Sequence, residues 1–168
     1  RNKKKEEGFT GAQQVYDCAL DLLSYRDYSH KDMLERLQRK GATKAQALEA
    51  VAKLEDYGLL NEEHYALRVY EAWLAKRYYG RQHLQLELSK RGIRADVAAE
   101  IMERFTPVVE EQQAENAAQL FMQRNQRKLT EEADYKKIYA AAGRFMAARG
   151  FSSRYVHIIL GKLHFSDN

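Results

Sequence analysis

Between Lys76 and Arg94 six cations, Lys76, Arg77, Arg81, Lys90, Arg91 and Arg94, stand against one acid, Glu87, with Tyr78 and Tyr79 among them. Cations neutralise phosphates and release their counterions, and aromatic rings stack on unpaired bases, so these are the side chains of a surface for single-stranded nucleic acid. A second set follows in the last third of the chain: Arg144, Arg149, Arg154 and Lys162, with Arg124, Arg127, Lys128, Lys136 and Lys137 nearby in sequence. The first part of the chain differs, because Glu35, Glu49, Glu55 and Asp56 balance its cations. An acidic partner is therefore expected to meet the later parts. The plainer reading is a solvated helix face, with cations that cap helix ends and a tyrosine in the core. At the level of sequence both readings stand.

A catalytic centre is not expected. His30, His64, His83, His157 and His164 are scattered, with no i, i+4 pair, and Cys18 is the single cysteine. That spacing offers neither a structural zinc site nor a metallohydrolase motif, so no metal or cofactor is expected. No glycine loop of the kind that cradles a phosphate occurs. Glu110 and Glu111, like Glu131 and Glu132, are adjacent acids that diverge on a helix and make poor catalytic pairs. They read as solvated first turns.

The elements that must carry the cations are helices. The 168 residues hold one proline and nine glycines, 45% are apolar and 31% charged, a composition for an all-α chain. A single cysteine excludes an intrachain disulfide and suits a reducing cytoplasm. No stretch approaches the roughly twenty apolar residues of a membrane span, and no signal peptide opens the chain. A soluble cytoplasmic monomer with no membrane partner is expected. Because the chain opens on Arg1, residues are expected to be missing upstream. A net charge of +4 and a pI near 9.1 permit nucleic-acid contact without requiring it.

Three helix-like stretches end on the same punctuation: Leu37-Gln-Arg-Lys-Gly41, Leu88-Ser-Lys-Arg-Gly92 and Met146-Ala-Ala-Arg-Gly150. A glycine just past a helix end takes the left-handed conformation that other residues resist. Such a cap pairs the following residue with the one four before the glycine: Ala42 with Leu37, Ile93 with Leu88, Phe151 with Met146. Each glycine is followed by apolar residues in one register, giving Ala50, Val51 and Leu54, then Ile101, Met102 and Phe105, then Ile159, Leu160 and Leu163. Gly41, Gly92 and Gly150 are thus structural turns inside an internal repeat.

Caps place the other boundaries. Ser29 with Asp32, Thr43 with Gln46, and Asn61 with Glu62 and Glu63 behind it open helices in the first half. The helix begun at Asn61 is expected to run to Tyr79-Gly80. Pro107, after Phe105-Thr106, starts a helix and marks a boundary. Thr130 is expected to cap the next helix, with Glu131 and Glu132 in its first turn, and Ser152 to open the last. The expected architecture is an elongated array of three tandem three-helix repeats of helix-turn-helix type. Residues 1–11 form a mobile arm, 12–58, 59–106 and 107–163 the repeats, and 164–168 a tail. Each unit is too small to bury a core alone, so neighbours must stack.

Most of residues 12–163 resembles the RecX family of bacterial recombinase regulators. The most specific stretch is Leu60-Asn-Glu-Glu-His-Tyr65-Ala66, followed by Tyr79-Gly80-Arg81, Leu84, Leu88 and Lys90-Arg91-Gly92-Ile93. Tyr25-Arg26-Asp27, Ser29, Asp32-Met33 and Leu37 are similar to the family's first-repeat helix entry, and Phe145 with Arg149-Gly150-Phe151 to its closing repeat. Two positions depart: Asn61-Glu62 stands where two acids are usual, and Arg94 where a small capping residue is more common. The second departure is expected to weaken the start of its helix. The resemblance implies tandem three-helix repeats, no catalytic site, and a role in restraining RecA by binding its filament on DNA. In that setting the site residues are Lys76, Arg77, Tyr78, Tyr79, Arg81, Lys90, Arg91, Arg94, Arg144, Arg149, Arg154 and Lys162, and the partners are the RecA filament, single-stranded DNA and duplex DNA. Two other classes remain open from the residues themselves. A duplex reader of helix-turn-helix type would place base-reading side chains on its third helices, where the first repeat carries Gln46 and the second little comparable. A helical scaffold that binds only protein would account for the mixed charge and the many tyrosines.

Overall fold

The computed structural model describes residues 8–129 and 134–164, the last three and Tyr135 by backbone alone. Nine α-helices follow one another among the described residues, and no strand occurs among them. They are α1 (Ala12–Tyr25), α2 (His30–Arg39), α3 (Lys44–Asp56), α4 (Glu62–Leu74), α5 (Arg81–Lys90), α6 (Ala95–Arg104), α7 (Pro107–Asn125), α8 (Tyr135–Ala147) and α9 (Val156–His164). Short 3-10 turns at Gln126–Lys128 and Ser153–Tyr155 precede α8 and α9. In chain order these are three sets of three helices. The fold is an all-α repeat.

Local chemistry starts most of them. Ser29 Oγ accepts the Asp32 N–H at 3.1 Å, while the Asp32 carboxylate pairs with Arg26 at 2.9 Å. Thr43 and Gln46 close a reciprocal capping box, with bonds of 2.9 and 3.2 Å. Asn61 Oδ1 accepts from His64 N–H at 2.8 Å, and Thr106 caps α7 with Pro107 as its first residue. Thr130, Glu131 and Glu132 lie outside the described residues. Helix α8 starts instead at Tyr135, capped by the Asp134 carboxylate, which accepts from the N–H groups of Lys136 and Lys137 at 3.1 and 3.3 Å. Of the expected arm and tail, residues 1–7 and 165–168 likewise lie outside the described residues, and His164 is the last residue of α9.

The helix ends share one geometry. Gly41, Gly92 and Gly150 stand at φ +103°, +68° and +79°. Just beyond them Ala42, Ile93 and Phe151 donate to the carbonyls of Leu37, Leu88 and Met146 at 3.1, 3.2 and 3.1 Å. Every member of those three apolar pairs is buried. Helix α4 is the exception to the expected pattern. It ends at Leu74 rather than at Gly80, and the residue with positive φ beyond it is Arg77, at +67°.

Two compact units result. Unit 1 extends through Val69 and takes in Leu88–Ala98, whereas unit 2 comprises Tyr70–Glu87 and the chain from Ala99 onward. In unit 1 Val15, Ala19, Met33, Leu37, Val51 and Leu54 of α1 to α3 form a core closed to solvent. In unit 2 Ala114, Ala117, Phe121, Met146, Phe151 and Ile159 gather α7, α8 and α9 around one core. The same unit buries Trp73 edge-on against Phe105, ring centroids 5.2 Å apart, with its indole N–H donating to His83 Nδ1 at 2.8 Å.

Candidate nucleic-acid interface

The candidate cations are held by helices whose first turns lack a local acceptor. Helix α5 begins after Gly80 and α6 after Arg94, and neither residue carries a side-chain oxygen to cap an N–H. A carboxylate from a distant helix supplies it. In unit 1 Glu62, 3% exposed, accepts the His30 N–H on Oε1 at 2.7 Å and the Arg94 N–H on Oε2 at 3.2 Å. His30 is the first residue of α2, so one side chain caps two helices. In unit 2 Glu110, 7% exposed, accepts the N–H of Arg81, the first residue of α5, at 3.0 Å. In both cases the first helix of one set caps the second helix of the set before it. Glu110 is therefore no solvated first-turn acid, as its adjacency to Glu111 suggested.

The second helices also meet end to first turn. A Cβ on Gly92 at the end of α5 would lie 3.2 Å from Ser29 Oγ and 3.4 Å from Lys31 Cβ at the start of α2. At the end of α8 the Arg149 and Gly150 carbonyls accept from the Gly80 and Gln82 N–H groups at 2.8 and 3.1 Å. Gly80 is needed for that approach, since a Cβ there would stand 2.7 Å from the Gly150 oxygen.

This framework sorts the cations. Arg94 is spoken for: its guanidinium lies 3.0 Å from Glu62, 3.3 Å from Glu63 and 3.6 Å from Asp96. The arginine expected to weaken the start of α6 instead engages the acid that caps it. Arg81 likewise donates to the Met102 carbonyl at 3.2 Å and to the Phe105 carbonyl, closing the end of α6, and sits 3.6 Å from Glu110. The run that looked continuous in sequence is divided: Lys76, Arg77, Tyr78, Tyr79 and Arg81 belong to unit 2, Lys90, Arg91 and Arg94 to unit 1. Lys90 and Arg91 are exposed at the end of α5.

Unit 2 brings together residues far apart in sequence. The Lys76 ammonium lies 6.0 Å from the Tyr79 ring centroid, and that ring packs on His83 at 4.1 Å. Tyr78 and Tyr79 are both half-buried. The Arg149 guanidinium lies over the Phe145 ring at 3.6 Å and donates from one terminal nitrogen to the Phe145 carbonyl at 3.3 Å. Its Nε is buried without a partner. Burial, and then the neighbouring charge of Arg124, push the Arg149 pKa below the usual arginine value, while Tyr79 acts in the opposite sense. Arg81 and Arg154 share a cleft of about 270 Å³ with Gln82, Glu110, Gly150 and Ser152. There the Arg154 guanidinium covers the Tyr155 ring at 4.6 Å and donates to its hydroxyl at 2.8 Å. Arg144 is exposed on α8, and the side chain of Lys162 lies outside the described residues. Unit 2 can thus present Lys76, Arg77, Arg124 and Arg144 to an anion, with Tyr79 and Arg149 between helices.

Among the described residues no three His, Cys, Asp or Glu side chains gather as they would to hold a metal ion. None of the described helices is long and apolar enough to cross a membrane.

Comparison with known proteins places this arrangement. Residues 16–54 match the family description "RecX, first three-helix domain". The regulatory protein RecX of Trichlorobacter lovleyi is 30% identical over 156 residues, covering 91% of this chain and 99% of that protein. That of Chlorobium phaeobacteroides is 25% identical over 154 residues, covering 92% and 96%. The crystal structure of RecX from Lactobacillus salivarius superposes with a TM-score of 0.77 at 21% identity, covering 92% of this chain and 97% of that one, a likeness of fold. A relative matched over nearly its whole length, on the same all-α repeat, means that the chain belongs to the RecX family of regulatory proteins.

Proposed function

We propose that this chain regulates the RecA recombinase by binding the RecA filament on DNA, and that its main effect is inhibition. The supporting observation is that Lys76 lies over the Tyr79 ring and that the next residue, Gly80, donates to the Arg149 carbonyl at 2.8 Å, in a member of a family of regulatory proteins. Cations from separate helices beside aromatic rings suit a phosphate backbone with unpaired bases. The three-helix sets lie along the helical groove of the filament, span its protomers, and obstruct filament growth or strand exchange. Recombinational repair and the SOS response are the processes affected. The protein acts by occupancy, as a cytoplasmic monomer without cofactor or catalytic step.

Direct reading of duplex bases is disfavoured. Gln46, the reader offered by the third helix of the first set, spends its carbonyl oxygen on the Thr43 N–H. The test is RecA-dependent ATP hydrolysis and strand exchange on single-stranded DNA, with this protein titrated well below the RecA concentration. Inhibition at those ratios is expected. Full RecA activity at every ratio overturns the proposal.

A further inference from the structure

Among the described residues five helix ends close with the same bond, from the N–H of a residue in the left-handed conformation to the carbonyl three residues before it. Gly41, Gly58, Gly92 and Gly150 donate in this way to Gln38, Glu55, Ser89 and Ala147 at 3.0, 2.8, 2.9 and 2.9 Å. At the end of α4 the donor is Arg77, bonded to Leu74 at 3.1 Å with φ +67°. It is the one described residue other than glycine with positive φ. A side chain there crowds its own backbone, which is why glycine is the usual occupant. A cation near a helix end is explained by the dipole, but any residue of the last turn would serve for that. The dipole does not call for an arginine in the single position that resists a side chain.

What the arginine adds is an exposed guanidinium. Arg77 and Lys76 are both exposed, and neither forms an ion pair with a carboxylate among the described residues. Lys76 reaches over the Tyr79 ring, and the next residue, Gly80, donates to the carbonyl of Arg149, the arginine with the orphaned Nε, at 2.8 Å. Two segments of unit 2, the residues after α4 and the end of α8, therefore bring cations to one neighbourhood. Strain held where a functional group must be presented is a recurring use of unfavourable backbone conformation.

We propose that Arg77, with Lys76, binds a phosphodiester of single-stranded nucleic acid, and that α4 ends on a left-handed arginine in order to present it. The assignment rests on the DNA part of the reading above and adds to it the residue and the ligand atom. The guanidinium fork matches two phosphate oxygens, and Tyr79 lies close enough in sequence and space to pack against an adjoining base.

Because the cap prefers glycine, the decisive variant is expected to fold better while binding worse. Arg77→Gly should leave Tm unchanged or raise it, yet weaken binding of a fluorescent oligo-dT about five-fold and flatten log K against log salt by about 0.7. Arg77→Asn, uncharged and tolerant of the same conformation, should bind as weakly as Arg77→Gly, and Arg77→Lys, which keeps the charge but not the fork, should recover the salt slope and only part of the affinity. Oligo-dT binding by the unaltered chain that Arg77→Gly and Arg77→Asn leave unchanged in affinity and slope overturns the proposal alone. If the unaltered chain does not bind the oligonucleotide, the proposal fails together with the DNA part of the reading, whatever the RecA titration gives. Loss of RecA inhibition in Arg77→Gly with unchanged oligonucleotide binding assigns the arginine to a protein surface and likewise overturns it.

Discussion

Gly150→Ala is expected to destabilise unit 2 by about 4 kcal/mol or more, at the upper end for a single substitution. Two effects add. At φ +79° a Cβ costs about 1 kcal/mol from its own backbone. The larger effect comes from the neighbour, since that Cβ would lie 2.7 Å from His83 Cβ and 2.9 Å from His83 Cα, in the first turn of α5. These atoms are backbone or fixed to it, so relief requires moving the end of α8 off the start of α5. That movement breaks the bonds from Gly80 to Arg149 and from Gln82 to Gly150, at 2.8 and 3.1 Å. It also disturbs His83, which accepts the Trp73 indole N–H at 2.8 Å. Trp73 is the only tryptophan, so its emission during thermal unfolding reads the damage in the unit where it occurs. A fall in Tm of about 10 °C or more is expected. Gly143→Ala supplies the control: a Cβ there meets nothing within 4 Å on α8, and the change should stabilise by about 0.5–1 kcal/mol. A Tm for Gly150→Ala within a degree or two of the parent would mean that α8 and α5 do not meet in this way.

The sequence revealed those features whose cause lies within a few residues. Thr43 and Gln46 are three apart, and their capping box stands where the spacing put it. The three glycine caps were legible for the same reason, since an apolar residue on each side of a Lys/Arg-Gly step leaves the chain few other turns. Helix α4 escaped because its cap is an arginine. Glycine is the signal for a left-handed residue, so the end was sought at Gly80, six residues beyond Leu74. The burial of Glu62 and Glu110 escaped for a different reason. The amides they cap, on His30 and Arg81, lie 32 and 29 residues earlier in the chain. One indirect signal was present: α5 and α6 start on residues that cannot cap them, so some distant acceptor had to. The candidate interface was legible only as a list of cations. Charge counting finds Arg81 and Arg94, but it cannot find the carboxylates and carbonyls across the fold that engage them. Of the cations left after that subtraction, Lys76 and Arg77 belong to unit 2 with Arg149, and Lys90 and Arg91 to unit 1.

Glu62→Ala should cost unit 1 about 3 kcal/mol, and the ranking of its companion variants carries the argument. The carboxylate is 3% exposed and accepts two donors, the His30 N–H at 2.7 Å and the Arg94 N–H at 3.2 Å, and it pairs with the Arg94 guanidinium, whose Nε lies 3.0 Å away. Truncation leaves two helix-start amides without an acceptor, and hydrogen bonds to a charged group are worth about 1.5–3 kcal/mol each. Part of the loss is offset, because Arg94 is half exposed and retains Glu63 and Asp96. Glu62→Gln should cost about 2 kcal/mol, since the amide keeps one acceptor but turns a donor toward the other N–H. Arg94→Ala should cost about 1 kcal/mol or less, because the backbone amide it leaves behind still bonds Glu62 and the lost ion pair is partly solvated. Glu63→Ala, which removes only an exposed partner of Arg94, should be close to neutral. Urea unfolding followed by far-UV circular dichroism gives the four values, and amide exchange at His30 and Arg94 locates them, accelerating in both Glu62 variants and not in Glu63→Ala. Equal, small effects for all four would mean that the carboxylate is hydrated and caps nothing. The stated order would mean that a single buried acid, placed by the first helix of the second set, holds the starts of α2 and α6, and with them the base from which Lys90 and Arg91 project.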